Sequence, residues 1–300
     1  GFFTLLGVFF LGRSIFSLKA AFLGALIYTV VPYKVFFDRM ALVDSMLAAF
    51  TIWSLVLTLW LLKNLRLHLS IILGILLGGA WLVKTPAEMN LLSLVTTIVA
   101  FDFRKNKILK LVLFWSLAFF IAFVMYNSLR LGPEFHQLSS RNSDYVFPIS
   151  RLLTHPLDPL IPHLGDVSDW FPKFLTWPIM VSWLVGLWFI VRTKNRWGLA
   201  ILFWALVPFI LQLIFLKTFT ARYLLISIPP LLVIAGYGIE RITNYKLQIT
   251  NLIILLIILP LALHFDYQLL FSSPPDNLPL EERRGYFEQW TAGYGFPEIA

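Results

Sequence analysis

The sequence predicts an all-α, polytopic integral membrane protein with about ten transmembrane helices and one long extracytoplasmic loop. Three observations support this fold class. Charged residues make up only 13% of the 300 residues, against about 25% in soluble domains. Long apolar runs follow one another, giving a mean hydropathy of +0.80. Basic residues alternate between the breaks that separate these runs, as they do in membrane proteins.

Most of the apolar runs approach the length of a membrane crossing, for which about 20 residues are needed. They lie at roughly 1–12, 20–36, 45–62, 69–83, 87–101, 108–126, 173–191, 197–215, 223–239 and 250–265. The first run is too short to cross and lacks the basic start and cleavage site of a signal peptide. We therefore interpret it as the end of a helix that begins upstream, and expect the chain to be truncated at both ends.

Basic residues predict the orientation. Alternate breaks hold clusters of Lys and Arg, as at 63–66, 104–110 and 192–196, whereas the intervening breaks hold fewer. The positive-inside rule makes the richer set cytoplasmic. The net charge of +8 is assigned to this surplus, because no basic run is interleaved with aromatic residues as nucleic-acid binding would require. The unusual polar segments then lie on the extracytoplasmic side of a cell membrane.

This order of segments divides the chain into four regions. Residues 1–126 are an N-terminal transmembrane module with a partial first span, 127–172 an extracytoplasmic loop, 173–265 a C-terminal transmembrane module, and 266–300 the start of an extracytoplasmic C-terminal region. Cysteine is absent, which excludes disulfides and thiolate metal sites.

The stretch 32–47, PYKVFFDRMALVDSML, places charges between two apolar runs. Charges near a bilayer are costly and are therefore functional candidates. Asp44 precedes an apolar run, so it is either an ordinary helix N-cap or a site residue. Arg39 lies five residues earlier and would point about 140° away from Asp44 on a straight helix, whereas a break would let both face one cavity. The alternative for Arg39 is contact with lipid headgroups.

The corner Lys84-Thr85-Pro86-Ala87-Glu88 has both a structural and a functional interpretation. Thr85 and Glu88 fit a capping box, with Pro86 in the first turn. Lys84 would then follow the C-terminus of the preceding helix, where a cation is favoured. An outward-facing ammonium group is also a good phosphate ligand.

Arg222 and Tyr223 open the run YLLISIPPLLVIAGYGI, in which Pro229 and Pro230 are expected to kink or interrupt a helix. Arg222 is either an interfacial anchor or a clamp for phosphate, with the two-pronged geometry that Lys lacks.

The loop at 127–172 is rich in proline and carries residue types that ligate metals. They are Glu134, His136, Asp144, His155, Asp158, His163, Asp166 and Asp169. The segment HPLDPLIPH lacks the close spacing of a compact site, so no metal is predicted here. A proline-stiffened flap on the membrane surface fits the loop better. The sequence contains no nucleophile elbow, phosphate loop, Rossmann glycine pattern or zinc-protease motif.

Four segments carry a resemblance to a known family. FDRMALVDSMLAAF is similar to the segment R-x-A-L-x-D-x-x-L of GT-C superfamily membrane glycosyltransferases, in the protein O-mannosyltransferase and aminoarabinose transferase group. ILGILLGGAWLVKTPAEMNLL resembles its G-x-x-x-G-x-x-x-x-x-K-x-P-A segment, and TARYLLISIPPLLVIAG its R-Y-x-x-x-x-x-P-P-L segment. ERRGYFEQWTAGYG resembles the start of an external region found in many bacterial members. The four occur in family order.

The resemblance implies an inverting transferase that moves a sugar from a polyprenyl-phosphate donor to an extracytoplasmic acceptor hydroxyl. It assigns Arg39 and Asp44 to the catalytic cavity, and it expects the main catalytic acidic residue in a loop upstream of Gly1. The substrate-binding candidates are Lys84, Arg222, Tyr223, Asp38 and Glu88, with His136 and Arg141 added only because the long loop matches in location. No cofactor is implied beyond the lipid-linked donor. Some relatives bind a divalent metal near this loop, and no residue pattern here supports one.

Two hypotheses follow from the sequence. The first is an enzyme, a hexosyl or pentosyl transferase whose partners are the membrane lipid, the polyprenyl-linked sugar and a protein, lipid or glycan acceptor. The chemistry fits it, because an acceptor hydroxyl needs a carboxylate to take its proton and a lipid phosphate leaving group needs fixed cations. The second is a transporter or flippase of lipid-linked sugars, which would be expected to carry polar residues at mid-membrane.

Overall fold

The computed structural model confirms an all-helical protein. It describes residues 1–40, 42–103, 107–155, 157–243, 248–271 and 277–288, and no strand occurs in these ranges. The external C-terminal region predicted at 266–300 includes residues 272–276 and 289–300, which lie outside the described residues.

Fifteen α-helices occur among the described residues, and seven of them lie before the predicted loop. They are α1 (Phe2–Ile15), α2 (Leu18–Val30), α3 (Pro32–Asp38), α4 (Val43–Lys63), α5 (Leu67–Val83), α6 (Met89–Thr96) and α7 (Ile108–Asn127). Eight follow: α8 (Phe135–Tyr145), α9 (Ile149–Thr154), α10 (Leu160–Phe174), α11 (Trp177–Arg192), α12 (Arg196–Phe215), α13 (Ile228–Thr243), α14 (Gln248–Phe271) and α15 (Leu280–Arg283).

Every predicted apolar run contains a helix, but the number of spans differs from the prediction. Within the described residues, three helices are long and apolar enough to cross a membrane: Val43–Lys63, Ile108–Leu131 and Arg196–Phe215. The number rises to five if each of two bent helix pairs is one span, with bends of 57° between α2 and α3 and 109° between α10 and α11. The count of about ten crossings is therefore not confirmed.

Proline explains why several predicted spans are broken. Proline lacks an amide hydrogen and is tolerated in the first turn of a helix, so it marks helix starts. Pro32 opens α3 directly after α2. The run predicted at 87–101 is divided into the 3₁₀ turn Thr85–Glu88, α6 and the 3₁₀ turn Thr97–Ala100. Pro229 and Pro230 lie in the first turn of α13, which follows the 3₁₀ helix Ala221–Ile226.

The segment predicted as a long loop is largely helical. It contains a 3₁₀ turn at Ser128–Leu131 followed by α8, α9 and most of α10. The high proline content misled the prediction, because these prolines separate short helices instead of excluding them. α9 has no buried residue, whereas α10 buries Trp170 and Phe174 in the core. Its His163 is also buried, with Nδ1 2.8 Å from the carbonyl oxygen of Leu213.

Small residues allow the helices to pack closely. Gly74 and Gly78 on α5 face α7 in this way: a Cβ added at Gly74 would lie 2.8 Å from the carbonyl oxygen of Ala118, and one at Gly78 would lie 2.7 Å from the sulfur of Met125. α13 is buried along most of its length between α2 and α11. A Cβ added at Gly238 of α13 would lie 2.0 Å from the carbonyl oxygen of Ser182 on α11, so only glycine fits there. α13 thus joins the two halves of the bundle.

Candidate functional site

A cavity of about 520 Å³ lies where several helix ends meet. It is bounded by the start of α4, the corner after α5, the end of α12 and the 3₁₀ helix Ala221–Ile226. Its lining residues are Asp44, Leu47, Lys84, Thr85, Pro86, Glu88, Met89, Tyr145, Val146, Gln212, Leu216, Arg222, Tyr223 and Ile226. One part of the wall is therefore charged and another is apolar. Five of the predicted site residues, from three separate chain segments, share this one cavity.

Asp44 and Lys84 form an ion pair at the charged end of the cavity. Lys84 Nζ donates to Asp44 Oδ1 at 2.6 Å. The Asp44 side chain is only 6% exposed, whereas that of Lys84 is 24% exposed. Asp44 lies in the first turn of α4, a favourable place for a negative charge, but the N-cap residue is Leu42. The capping interpretation of Asp44 is therefore wrong, since its carboxylate binds a side chain and no cap bond is made.

The corner that carries Lys84 differs from the predicted capping box. Lys84 follows the C-terminus of α5 as expected. However, Thr85 to Glu88 form a 3₁₀ turn, and neither residue that precedes a helix start here, Lys84 or Glu88, makes a side-chain cap bond. The capping box is therefore wrong, and the Glu88 side chain lines the cavity instead.

Aromatic and cationic groups alternate across the cavity wall. Lys84 Nζ lies 4.5 Å from the centre of the Tyr223 ring, and the Arg222 guanidinium carbon lies 5.4 Å from the same ring. Ring faces attract cations, so Tyr223 holds both positive groups near each other. The Nε atom of Arg222 is buried without a hydrogen-bond partner among the described residues. Two cations with spare donors at one end of a partly apolar cavity can bind an anion that carries an apolar tail.

Two residues near the cavity were missed by the sequence analysis. Gln212 of α12 lines the apolar part, and its buried Oε1 has no hydrogen-bond partner among the described residues. Its signal was a single amide within the apolar run FILQLIF. Glu282 of α15 is 5% exposed and interacts electrostatically with Arg222. Its signal was weaker, because a glutamate after the last apolar run is ordinary.

Asp38 and Arg39 are not among the described residues that line the cavity. Asp38 accepts from the hydroxyl of Tyr28 at 2.6 Å and lies 3.1 Å from the ammonium group of buried Lys34. Arg39 Nη1 donates to the carbonyl oxygen of Leu269 on α14 at 3.5 Å. The structure thus separates this pair from Asp44, and their site roles stay predictions.

The two candidates from the long loop lie on α8. His136 is exposed and is not among the described residues that line the cavity, and the side chain of Arg141 lies outside the described residues. The end of the same helix does reach the cavity: Lys217 N donates to the carbonyl oxygen of Tyr145 at 2.8 Å, and Val146 forms an isolated bridge with Leu216. Tyr145, Val146 and Leu216 all line the cavity.

No three His, Cys, Asp or Glu residues within the described ranges are grouped so that they could hold a metal ion. The charged end of the cavity combines the carboxylates of Asp44 and Glu88 with the basic side chains of Lys84 and Arg222.

The structure thus defines an all-helical protein with apolar helices of membrane-spanning length and a cavity at its helix ends that is lined by Lys84 and Arg222. Residues 1–128 match the family model of dolichyl-phosphate-mannose-protein mannosyltransferase. This match includes two of the four cavity segments, the start of α4 with Asp44 and the corner with Lys84, but not the end of α12 or the 3₁₀ helix that carries Arg222. Over residues 1–128 this match confirms the resemblance to the protein O-mannosyltransferase group.

Solved structures with the same fold come from an archaeal relative. The Archaeoglobus fulgidus oligosaccharyltransferase in complex with Zn and sulfate superimposes with a TM-score of 0.58 at 17% identity, over 95% of this chain and 44% of that chain. Its apo form gives 0.57 at 15% identity, over 95% and 47%. The archaeal oligosaccharyltransferase AglB from Archaeoglobus fulgidus, in complex with an inhibitory peptide and a dolichol-phosphate, gives a TM-score of 0.55 at 16% identity, over 95% of this chain and 47% of that chain. This chain therefore spans less than half the length of these proteins. No curated protein matches it in sequence.

Proposed function

We propose that this protein is a membrane glycosyltransferase that moves a sugar from a polyprenyl-phosphate donor to an acceptor hydroxyl on the extracytoplasmic side. The observation that carries the proposal is the cavity in which Lys84 and Arg222 converge beside apolar residues. A lipid-linked sugar has a phosphate, an apolar chain and a polar head, and the cavity has a matching surface for each. The family match over residues 1–128 and the fold shared with a protein that binds dolichol-phosphate support this assignment.

Each charged residue has a proposed role. Lys84 and Arg222 stabilise the negative charge that develops on the phosphate as the sugar leaves. Asp44 orients Lys84 through their ion pair, and Tyr223 holds both cations. Leu47, together with the other apolar residues of the wall, contacts the first isoprene units.

The acceptor side of the reaction needs a general base. A carboxylate must take the proton of the acceptor hydroxyl for direct displacement, which inverts the anomeric carbon. Asp44 is engaged by Lys84, so it is poorly placed to serve as that base, and Glu88 is the other carboxylate that lines the cavity. We keep the proposal that the main catalytic carboxylate is supplied by a loop of the longer protein, with Glu88 contacting the acceptor or the sugar.

The membrane arrangement is part of the proposal. We propose that all ten apolar runs are embedded in the bilayer, with the short helices paired or tilted, and that the cavity opens on the extracytoplasmic face. The chain has no cysteine, so single cysteines report sidedness without background. A cysteine at exposed Leu153 of α9 should react with an impermeant maleimide from outside, and one at exposed Lys194 only after the membrane is opened. The reverse pattern would contradict the orientation.

The experiment that tests the function is a transfer assay with full-length protein in nanodiscs. Dolichyl-phosphate-mannose labelled in the sugar is the donor, and release of polyprenyl phosphate with transfer of label to peptide or glycan acceptors is measured. We expect Lys84→Met to lower the rate at least a hundredfold, because a fixed cation at developing charge is worth about 3 kcal/mol. Lys63→Met, at the far end of α4, is the matched control and should keep the wild-type rate. Movement of labelled lipid across the bilayer without bond cleavage would instead establish a transporter.

A further inference from the structure

Gln212 is a buried amide in the wall of the cavity. It lies near the end of α12, within the apolar run FILQLIF, and only 2% of its surface is exposed. Its side chain is one of those that line the cavity. A leucine at this place would continue the apolar run without burying a polar group, so packing alone does not account for the amide.

The fold supplies this amide with almost no hydrogen bonds. Gln212 Oε1 is buried and has no hydrogen-bond partner among the described residues. Nε2 approaches the sulfur of Met89 at 3.9 Å, and a thioether is only a weak acceptor. Buried amides normally have partners, because an unpaired group loses its hydration without compensation. The amide of Gln212 therefore has its carbonyl oxygen and an N–H group available to a molecule in the cavity.

A second buried amide, on the neighbouring helix α6, is used differently. Asn90 is 1% exposed, and its Nδ2 donates to Thr51 Oγ1 on α4 at 3.0 Å. Asn90 is not among the described residues that line the cavity. Its Oδ1 is also without a partner in the part of the chain that the structure describes, but its hydrogen bond joins α4 to α6 and gives the residue a structural role. Gln212 has no such role, and its amide borders the cavity.

The parts of a lipid-linked sugar differ in what they offer to an amide. An isoprene chain carries no hydrogen-bonding group, and it fits the apolar cluster to which Leu47 and Ile226 belong. The phosphate is assigned to Lys84 and Arg222. The sugar carries neighbouring hydroxyls, each of which can donate and accept. One amide can accept from one hydroxyl through its carbonyl oxygen and donate to the next through its N–H group, so the sugar is the part that matches Gln212.

We propose that Gln212 binds the sugar of the lipid-linked donor through hydrogen bonds between its amide and sugar hydroxyls, and so contributes to the choice of sugar. This inference rests on the proposed function. Binding pockets commonly combine an apolar wall with a few polar groups that fix the orientation of the ligand. With the phosphate at Lys84 and Arg222 and hydroxyls at Gln212, the sugar is held at two points. A sugar that lacks the matching hydroxyls leaves the buried amide unpaired and is rejected.

The test compares two ligands that share the phosphate and the lipid chain. Binding of dolichyl-phosphate-mannose and of dolichyl methyl phosphate to full-length protein in nanodiscs is measured. Both are phosphodiesters with one negative charge, so only the sugar distinguishes them. Gln212→Met keeps an unbranched side chain of similar length but removes the amide. We expect the affinity for dolichyl-phosphate-mannose to fall at least about tenfold, and that for the methyl ester to stay within about twofold of wild type.

Three further variants make the comparison specific. Lys84→Met removes a phosphate contact and should weaken the binding of both ligands. Gln137→Met changes an exposed amide of α8 that is not among the described residues lining the cavity, and should change neither affinity. Gln212→Asn keeps an amide but withdraws it by one methylene, so it should reproduce the selective loss. It takes the place of Gln212→Met if that variant does not fold.

Two results overturn the inference and leave the proposed function intact. The first is unchanged affinity for both ligands in the Gln212 variants, which means that the amide contacts no part of the donor. The second is an equal loss for both ligands, which means that Gln212 acts on the lipid or the phosphate instead of the sugar. If the wild-type protein binds neither ligand, the proposed function fails, and this inference fails with it.

Discussion

The ion pair between Asp44 and Lys84 predicts an asymmetric response to mutation. Removing one partner of a buried pair leaves an uncompensated charge and costs about 3–5 kcal/mol. The Asp44 side chain is 6% exposed and the Lys84 side chain 24%. Lys84→Met therefore leaves a carboxylate that cannot reach water, and should lower the free energy of unfolding by about 3 kcal/mol. Asp44→Asn leaves an ammonium that can turn into the cavity, and should cost only about 1–2 kcal/mol.

The double variant tests whether Asp44 and Lys84 interact or contribute to stability independently. With both charges gone, no buried charge remains unpaired, so Asp44→Asn with Lys84→Met should be at least as stable as Lys84→Met alone. The coupling free energy in the double-mutant cycle is then about 1–2 kcal/mol. Unfolding can be followed by tryptophan fluorescence during titration of the purified protein with denaturing detergent, since the chain has 11 Trp residues.

Two results would refute this reasoning. The first is additive behaviour within about 0.5 kcal/mol, which is the expectation for residues that do not interact. The second is a larger loss for Asp44→Asn than for Lys84→Met, which would mean that the lysine is the less hydrated partner. Lys63→Met provides the matched charge removal outside the pair, at the other end of α4.

Three further predictions concern the cavity and the bundle. Arg222→Lys keeps the positive charge but loses the planar guanidinium that can bind two phosphate oxygens, so the affinity for dolichyl-phosphate-mannose should fall about tenfold. Unchanged affinity would contradict a bidentate contact. Gln212→Leu removes a buried amide oxygen that lacks a partner among the described residues, so thermal stability should stay unchanged or increase. The KM for donor or acceptor should rise, and an unchanged KM would exclude a ligand contact at Gln212. Gly238→Ala should cost about 3 kcal/mol or more because its Cβ would overlap the Ser182 carbonyl oxygen. Gly165→Ala meets no atom within 4 Å and should leave the unfolding midpoint unchanged or higher.

Much of the cavity was accessible from sequence because of a simple regularity of membrane proteins. Charges are excluded from the apolar runs, so those that remain collect at run ends, and the alternation of basic breaks predicts which ends share a side. Asp44, Lys84 and Arg222 are each at the end of an apolar run on the same predicted side. The structure brings them into one cavity with Glu88 and Tyr223.

The number of spans and the two missed residues, Gln212 and Glu282, could not be derived from the hydropathy and charge patterns. Hydropathy averages over a window, so a 57° bend at Pro32 or a 3₁₀ turn at 97–100 leaves the apolar run unchanged while dividing the helix. Glu282 is 60 residues beyond Arg222 and comes within electrostatic range of it only through the folding of the C-terminal segment. No local sequence pattern encodes that proximity. Gln212 could not be identified from its apolar run alone, because the sequence does not show that this run borders the cavity.

In the stretch 32–47 a chain break is present, but Arg39 and Asp44 do not line the same cavity. A break between Arg39 and Asp44 was the condition for both to face one cavity, and the break exists, since α3 ends at Asp38 and α4 begins at Val43. Yet Arg39 turns toward α14, where it reaches the carbonyl oxygen of Leu269. A chain break removes the fixed angle between side chains on one helix, but it does not determine where each side chain then points. That direction depends on the partners that tertiary packing places nearby. Asp44 has Lys84 within reach, whereas no ion pair joins Arg39 to a carboxylate in the part of the chain that the structure describes. Asp44 therefore lines the cavity, and Arg39 contacts α14 instead.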